Sequence, residues 1–212
     1  MNDSGKTRAG VVLAGGHSTR FGDRDKALAE VDGEPLLVRA AEGLAPAVDG
    51  VVINCRLEQI PTFRAALDPQ SVGCAFVCDP SPGGGPAAGL AAALGAISAP
   101  SVAVVACDMP FVDASFLRWL FGKLGDATGV VPRVAGALQP THAVFATEPT
   151  RRAARDAVEN ASGSLYGVLD RIDPTEVPEP RVLARTTARS FVDVDAPADL
   201  ESVVSDEVTR QS

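Results

Sequence analysis

Residues 9–28, AGVVLAGGHSTRFGDRDKAL, decide the fold. The stretch opens with a short apolar run, which is typical of a buried strand in a parallel sheet. The run ends at Gly15 and Gly16, and glycines allow a phosphate to approach main-chain N–H groups closely. Two cationic side chains, Arg20 and Lys26, follow the glycines. The stretch therefore predicts a nucleoside triphosphate site at the end of the first strand.

Two other phosphate-binding motifs are excluded by the spacing. A Walker A loop needs a glycine, four residues and then Gly-Lys-Ser/Thr between a strand and a helix. The segment from Ser4 to Thr7 matches only the last residues of that motif, and no strand precedes it. We expect it to belong to a flexible N-terminal arm, residues 1–8. The dinucleotide pattern G-x-G-x-x-G is absent, because Gly15 and Gly16 are adjacent.

The length and composition allow a single domain of the α/β type, which we place at residues 9–204, followed by a C-terminal tail, residues 205–212. The 212 residues are 46% hydrophobic and 22% charged, an ordinary globular balance. The net charge of −8 argues against nucleic-acid binding, which needs a basic surface. We also expect no membrane span and no leader, and hence a cytoplasmic protein whose four cysteines are reduced.

Alternating apolar runs and helical patterns predict a Rossmann-like, doubly wound, mostly parallel sheet in a three-layer α/β/α arrangement. A Pro-rich piece, Asp173 to Pro180, is predicted to be a surface connection. Phe191 to Asp195 is predicted to be a late strand that leads into a final helix. The other strands are predicted at Val51–Ile53, Ala75–Cys78, Val102–Cys107, Gly129–Pro132 and Ala143–Phe145, and the helices at Pro35–Pro46, Gln59–Leu67, Ala87–Ile97, Ala114–Leu124, Pro149–Glu159 and Leu165–Ile172.

Polar groups follow the predicted strands at Asn54, Asp79 and Asp108. Ligands of open α/β sheets bind outside the carboxyl ends of the strands, so these positions converge on one crevice. Asp108 ends the most apolar strand, where a carboxylate is well placed to hold Mg²⁺ against triphosphate oxygens. The alternative for Asp108 is a cap of the next turn, and for Asn54 and Asp79 a polar turn residue at a strand exit.

The pattern Leu-Ala-Gly-Gly-x-Ser-x-Arg-Phe-Gly-x-x-x-Lys resembles the signature of the sugar-nucleotide-pyrophosphorylase-like nucleotidyltransferases. Within that superfamily it is most similar to the molybdenum cofactor guanylyltransferases. The segment from Gly85 to Leu90 resembles the Gly-Pro-Leu-Ala-Gly-Leu motif of that family, and Cys107 to Phe111 resembles its metal-binding segment. The resemblance extends from Val11 to Leu200 and implies a fold of the nucleotide-diphospho-sugar transferase type.

The resemblance also implies roles for individual residues. Lys26 and Arg20 would bind phosphate oxygens, and with Asp108, the metal ligand, they would form the catalytic set. Asp193 and Asp195 stand where the family usually has Asn, and either is a candidate for an acceptor contact or a second metal contact, with a helix N-cap as the alternative for Asp195. A weaker expectation places the segment 139–142, which includes His142, on the acceptor side. The nucleotide would lie against Leu13, Ala14, Gly15, Gly16, Lys26, Asn54, Asp79, Gly85 and Asp108.

The implied reaction transfers GMP from GTP to molybdenum-bound molybdopterin with Mg²⁺, or Mn²⁺ in its place, and releases pyrophosphate. The product would pass to a molybdoenzyme or a molybdenum-insertion protein. One alternative is a cytidylyltransferase or another small-acceptor nucleotidyltransferase, although Gly15 stands where the cytidylyl type has Ala. A second alternative is a non-catalytic nucleotide-binding adaptor for molybdoenzyme maturation, which the presence of both Lys26 and Asp108 disfavours.

Overall fold

The apolar runs form the strands of a central sheet in the computed structural model, which describes residues 7–16, 21, 25–67, 73–78 and 83–200. In these ranges the strands are β1 (Arg8–Leu13), β2 (Glu30–Val31), β3 (Glu34–Pro35), β4 (Gly50–Cys55), β5 (Cys74–Cys78), β6 (Ser101–Ala106), β7 (Gly129–Val134), β8 (Ala137–Leu138), β9 (His142–Ala146) and β10 (Thr175–Val177). The helices are α1 (Leu36–Leu44), α2 (Ile60–Leu67), α3 (Gly85–Gly95), α4 (Ala114–Leu124), α5 (Thr147–Glu159), α6 (Leu165–Ile172) and α7 (Glu179–Leu183). Short 3₁₀ turns cover Lys26–Leu28, Ala45–Ala47, Leu57–Gln59 and Ala188–Phe191.

The sheet is mostly parallel, with the strand order β10-β7-β9-β6-β1-β4-β5 and with β8 paired to β7. β1 lies between β4 and β6, and it is parallel to both. β9 is antiparallel to both of its neighbours, β6 and β7. In register, Leu13 pairs with Asn54 on one side and with Ala106 on the other. The carboxyl ends of β1, β4 and β6 therefore lie at one edge of the sheet.

Helices cover both faces of the sheet, because successive strand residues point to opposite sides. Val12 and Val105 pack in one apolar cluster with side chains of α1, α2 and α4. Val11 and Val104 pack in a second cluster with side chains of α3, α5 and α6. All four valines are fully buried, as expected for strands covered on two faces. The predicted three-layer α/β/α fold is confirmed.

The predicted strand from Phe191 to Asp195 is wrong. Ala188–Phe191 form a 3₁₀ turn, and residues 192–195 are irregular. β6 already pairs with β1 and β9, so the segment lies beyond the carboxyl end of β6 and not along its edge. There the Val194 N–H donates to the Asp108 carbonyl at 2.9 Å, and the Val194 side chain is buried with Val31 and Leu36.

The surface connection predicted for Asp173 to Pro180 is also wrong in part. Thr175–Val177 form β10, which pairs in parallel with β7 at the edge of the sheet. The strand is only three residues long, and Val177 is its buried member, so it leaves little apolar pattern in the sequence. Residues 197–200 are helical, as predicted for the final helix.

The domain division stays a prediction. Residues 1–6 of the predicted arm and the whole tail, 205–212, lie outside the described residues, whereas Arg8 is already the first residue of β1. Within the described ranges, every helix is too short or too polar to cross a membrane.

Two helical glycines give a test of how closely α1 approaches the segment that follows β6. A β-carbon at Gly43 would lie 2.8 Å from the Val112 carbonyl oxygen, a backbone atom, whereas one at Gly122 in α4 would meet nothing within 4 Å. We expect Gly43→Ala to lower the free energy of unfolding by about 1–3 kcal/mol because of this overlap. Gly122→Ala is the matched control, and it should raise the same quantity by about 0.5–1 kcal/mol through helix propensity. Denaturant unfolding measures both, and equal effects would contradict the close approach.

Candidate functional site

A cavity of about 820 Å³ opens at the carboxyl edge of the sheet. Six predicted site residues line it: Leu13, Gly15, Gly16, Asn54, Gly85 and Asp108. Ala14 is buried beneath the loop, where its N–H donates to the Asn54 carbonyl at 2.8 Å. Two predicted residues, Arg20 and Asp79, lie outside the described residues. The described part of the predicted site therefore comes together at one place.

Lys26 forms ion pairs with two aspartates that lie far from it in the sequence, Asp108 and Asp195. Its ammonium donates to Asp108 Oδ2 at 2.8 Å and to Asp195 Oδ1 at 2.6 Å. The Lys26 and Asp108 side chains are only 15% and 24% exposed, whereas Asp195 is 50% exposed. Burial by itself lowers the pKa of Lys26, but Asp108 and then Asp195 outweigh it and raise the pKa above its usual value. Lys26 therefore carries its positive charge in this site.

Asp193 adds a third carboxylate to this group. Burial, followed by the neighbouring charge of Asp195, raises the pKa of Asp193, with Asp108 adding to the same effect. The hydrogen bond from the Val194 N–H to the Asp108 carbonyl holds the segment with both aspartates at the end of β6. Asp199 accepts from the N–H groups of Asp195 and Ala196, at 2.8 and 2.7 Å, which fixes the main chain at Asp195.

The donor set suits Mg²⁺ if substrate oxygens complete it. Carboxylate oxygens are the ligands that Mg²⁺ prefers, and it commonly takes one or two of them together with phosphates and water. Among the described residues, Asp108 uses Oδ2 for Lys26, and Oδ1 has no hydrogen-bond partner. In the same part of the chain, no group of three His, Cys, Asp or Glu side chains is arranged to hold a metal. Asp108 could therefore supply one ligand of a metal ion whose other ligands come from outside the chain.

The Asn54 side chain packs against two glycines, Gly15 and Gly89, whose lack of a side chain makes room for it. Its carboxamide is 3% exposed, and Nδ2 donates to the Val77 carbonyl of β5 at 3.3 Å. A β-carbon at Gly15 would lie 3.2 Å from Asn54 Oδ1, and one at Gly89 only 2.2 Å from it. Gly89 therefore permits α3 to approach the end of β4. A larger side chain at Gly89 would therefore displace the Asn54 carboxamide, whereas one at Gly15 would require only a small shift.

Sequence reasoning missed Arg56, which follows β4 and lines the same cavity. Its Nη1 donates to the carbonyl oxygens of Gly15 and Gly16, at 3.1 and 2.7 Å. A basic residue two positions after Asn54, at a predicted strand exit, was the available signal.

The segment 139–142 is divided between the cavity and the core. Thr141 lines the cavity. His142 is fully buried, packs against Phe116 and Phe191, and shares a hydrogen bond of 2.8 Å between Nδ1 and the Ser190 carbonyl. Because a carbonyl only accepts, Nδ1 carries the proton. Burial lowers the pKa of His142 to about 4, against smaller opposing effects of the Ser190 carbonyl and Asp113. His142 is thus a neutral core residue in the structure.

Comparisons with known proteins agree with this architecture. The model of the MobA-like NTP transferase domain matches residues 10–175. A probable molybdenum cofactor guanylyltransferase of Natronomonas pharaonis is 39% identical over 92% of this chain and 95% of its own length. The protein of the same name from Haloferax mediterranei is 37% identical, over 93% of each chain.

Two solved structures share the fold. Molybdopterin-guanine dinucleotide biosynthesis protein A from Archaeoglobus fulgidus aligns with a TM-score of 0.77 at 24% identity, over 96% of this chain and all of that one. The 4-diphosphocytidyl-2C-methyl-D-erythritol synthase from Anaerococcus prevotii aligns with a TM-score of 0.74 at 12% identity, over 97% of each chain. At these identities the likeness supports the fold, which is of the nucleotide-diphospho-sugar transferase type.

The buried neutral His142 makes stability depend on pH. Its pKa is about 4 in the folded chain and near its ordinary value of 6.5 when unfolded, so between these values only the unfolded chain binds the proton. We therefore expect the free energy of unfolding to fall as the pH is lowered from 6.5 to 4, by up to about 3 kcal/mol from this group. His142→Gln keeps an N–H donor without the titration. Urea unfolding at several pH values should show that the free energy of unfolding falls less for the variant than for the wild type as the pH is lowered. An equal fall in both proteins would contradict a buried, neutral His142.

Proposed function

The chain belongs to the family of MobA-like NTP transferases, and from that premise we propose that it transfers GMP from GTP to molybdenum-bound molybdopterin, forming molybdopterin guanine dinucleotide and pyrophosphate. The observation that carries the proposal is the ion-paired group of Lys26, Asp108 and Asp195 at the cavity that Gly15 and Gly16 line. A cationic side chain, a metal-ligand carboxylate and a glycine loop are the parts that a magnesium triphosphate requires. The relatives at 37–39% identity are named as probable molybdenum cofactor guanylyltransferases, which supports this choice of substrates.

The reaction needs positioning and charge neutralisation more than it needs a protein nucleophile. An oxygen of the terminal phosphate of molybdopterin forms a bond to the α-phosphorus of GTP, and the bond from that phosphorus to the bridging oxygen of pyrophosphate breaks. Lys26 binds phosphate oxygens as a point charge. Asp108 would hold Mg²⁺, or Mn²⁺, which neutralises charge on the transferred and leaving phosphates. Preorganised charges of this kind are commonly the largest contribution to catalysis.

The acceptor is proposed to enter beside Asp193 and Asp195. Asp195 is 50% exposed, and both aspartates lie in the segment that the Val194 N–H holds at the end of β6. Asp79 and Arg20 are proposed for the ribose or base and for the phosphates, respectively. A molybdoenzyme or a molybdenum-insertion protein would receive the product in the cytoplasm.

The first experiment measures pyrophosphate release with GTP, Mg²⁺ and molybdenum-bound molybdopterin, with CTP and ATP in parallel. We expect turnover with GTP. Faster turnover with CTP would favour the cytidylyltransferase alternative, whereas nucleotide binding without turnover would favour the non-catalytic adaptor. In the same assay, Asp108→Asn should reduce kcat by at least about 100-fold, because it removes the proposed metal-ligand charge.

The control for Asp108→Asn is Asp170→Asn, which removes an exposed charge on α6 and should leave turnover unchanged. Equal melting temperatures would show that both variants are folded. If Asp108→Asn keeps wild-type turnover, the metal assignment is wrong.

The proposed role of Lys26 is tested by binding alone. We expect Lys26→Ala to weaken GTP binding by about tenfold or more while guanosine binding changes little, because the ammonium would contact phosphate and not the nucleoside. Titration calorimetry with both ligands measures the difference. Lys123→Ala, which removes an exposed cation beside Trp119, is the control. An equal loss of affinity for GTP and for guanosine would mean that Lys26 supports the loop without contacting phosphate.

A further inference from the structure

The Arg56 guanidinium lies beside the cavity, but it donates hydrogen bonds to other groups of the protein. Its Nη1 reaches the carbonyl oxygens of two consecutive glycines, Gly15 and Gly16, and Nε donates to Glu58 at 2.8 Å. Nη2 lies 3.5 Å from Asp25 Oδ2. The Arg56 side chain is 24% exposed, so these contacts are partly shielded from water. Such a fork of planar donors is a geometry that Arg can form and Lys cannot.

Asp25 contacts Arg56 and also caps the turn that contains Lys26. Its Oδ1 accepts from the Ala27 N–H at 3.1 Å, which caps the 3₁₀ turn that begins at Lys26. Its Oδ2 accepts from Nε2 of Gln59, a buried residue at the end of the 3₁₀ turn Leu57–Gln59. Asp25 therefore caps the turn from which the Lys26 side chain extends.

Gln59 closes the network. Its Oε1 accepts from the Arg56 N–H at 2.7 Å, and its Nε2 also lies 3.4 Å from the Ala14 carbonyl. Arg56, Asp25 and Gln59 thus tie together three separate segments: the end of β1, the turn that carries Lys26, and the exit of β4. We call these three residues the loop brace.

We propose that Arg56 is a positioning residue, which holds the glycine loop and, through Asp25, Lys26 in the arrangement that receives the triphosphate. The inference rests on the proposed nucleotidyl transfer for its kinetic consequences. A brace formed before substrate arrives removes the cost of ordering the loop during the reaction. A direct phosphate contact by Arg56 is the competing role, and in that case the loss of Arg56 would act independently of Asp25.

The kinetic test compares Arg56→Ala and Arg56→Lys with Arg133→Ala. Arg133 is ion-paired with Glu176 between β7 and β10, so its loss should leave turnover unchanged. We expect kcat/KM to fall by about 10- to 100-fold in both Arg56 variants, as for a misplaced catalytic group. Millimolar guanidinium should restore part of kcat in Arg56→Ala only. Near wild-type activity of Arg56→Lys, or a loss that guanidinium does not relieve, would overturn the proposal.

A double-mutant cycle with Asp25 separates positioning from direct contact. If Arg56 acts through the brace, Asp25→Asn should lower kcat/KM in the same direction, and the double variant should lose less than the product of the two single losses. If the loss of kcat/KM in the double variant equals the product of the two single losses, Arg56 and Asp25 act independently, which would contradict the loop brace.

Hydrogen exchange tests the brace without any substrate, so its result is separate from the fate of the proposed reaction. In the ligand-free protein, the amides of Ala27 and Leu28 should exchange faster in Arg56→Ala than in the wild type or in Arg133→Ala. Unchanged exchange in a folded Arg56→Ala variant would show that no brace exists. Faster exchange in a protein without transferase activity would keep the brace and reject only the reaction.

Discussion

The ion pairs of Lys26 with Asp108 and Asp195 are the contact on which the rest of the site depends. They join residues that are 82 and 169 positions apart in the chain. Three carboxylates approach one another here, in a chain that already carries a net charge of −8. Like charges in a partly buried place repel more strongly than they do in water, so a cation is required between them. Under the proposed function, a magnesium nucleotide would bring a metal ion for Asp108 and phosphate oxygens for Lys26, in place of the present ion pairs.

The fold supplies this contact by placing chain segments at one edge of the sheet. β6 is buried between β1 and β9, and it delivers Asp108 at its carboxyl end. The same end holds the segment around Val194 through a main-chain hydrogen bond. On the other side of β1, the glycines at positions 15 and 89 make room for Asn54. The cavity therefore has Asp108 on the β6 side of the first strand, and Asn54 and Arg56 on the β4 side.

Most of this arrangement could be predicted from the sequence, because it follows from continuous apolar runs. Such runs indicate buried parallel strands, and the ends of parallel strands share an edge, so Asn54 and Asp108 were placed correctly beside Gly15. The segment around Val194 misled the prediction, because alternation of apolar and acidic residues is typical of a strand. Its alternation arises instead from one buried valine between two aspartates at the site. Arg56 could not be assigned, since its function depends on which carbonyl groups it meets in three dimensions.

The most direct test is a crystal structure of the protein with a non-hydrolysable GTP analogue and Mn²⁺, whose anomalous scattering locates the metal. We expect the metal peak in contact with the Asp108 carboxylate, with the phosphates over Gly15 and Gly16 and the Lys26 ammonium moved from at least one aspartate to a phosphate oxygen. A nucleotide bound at another edge of the sheet, or phosphates bound while Lys26 keeps both of its carboxylate partners, would contradict the proposed site.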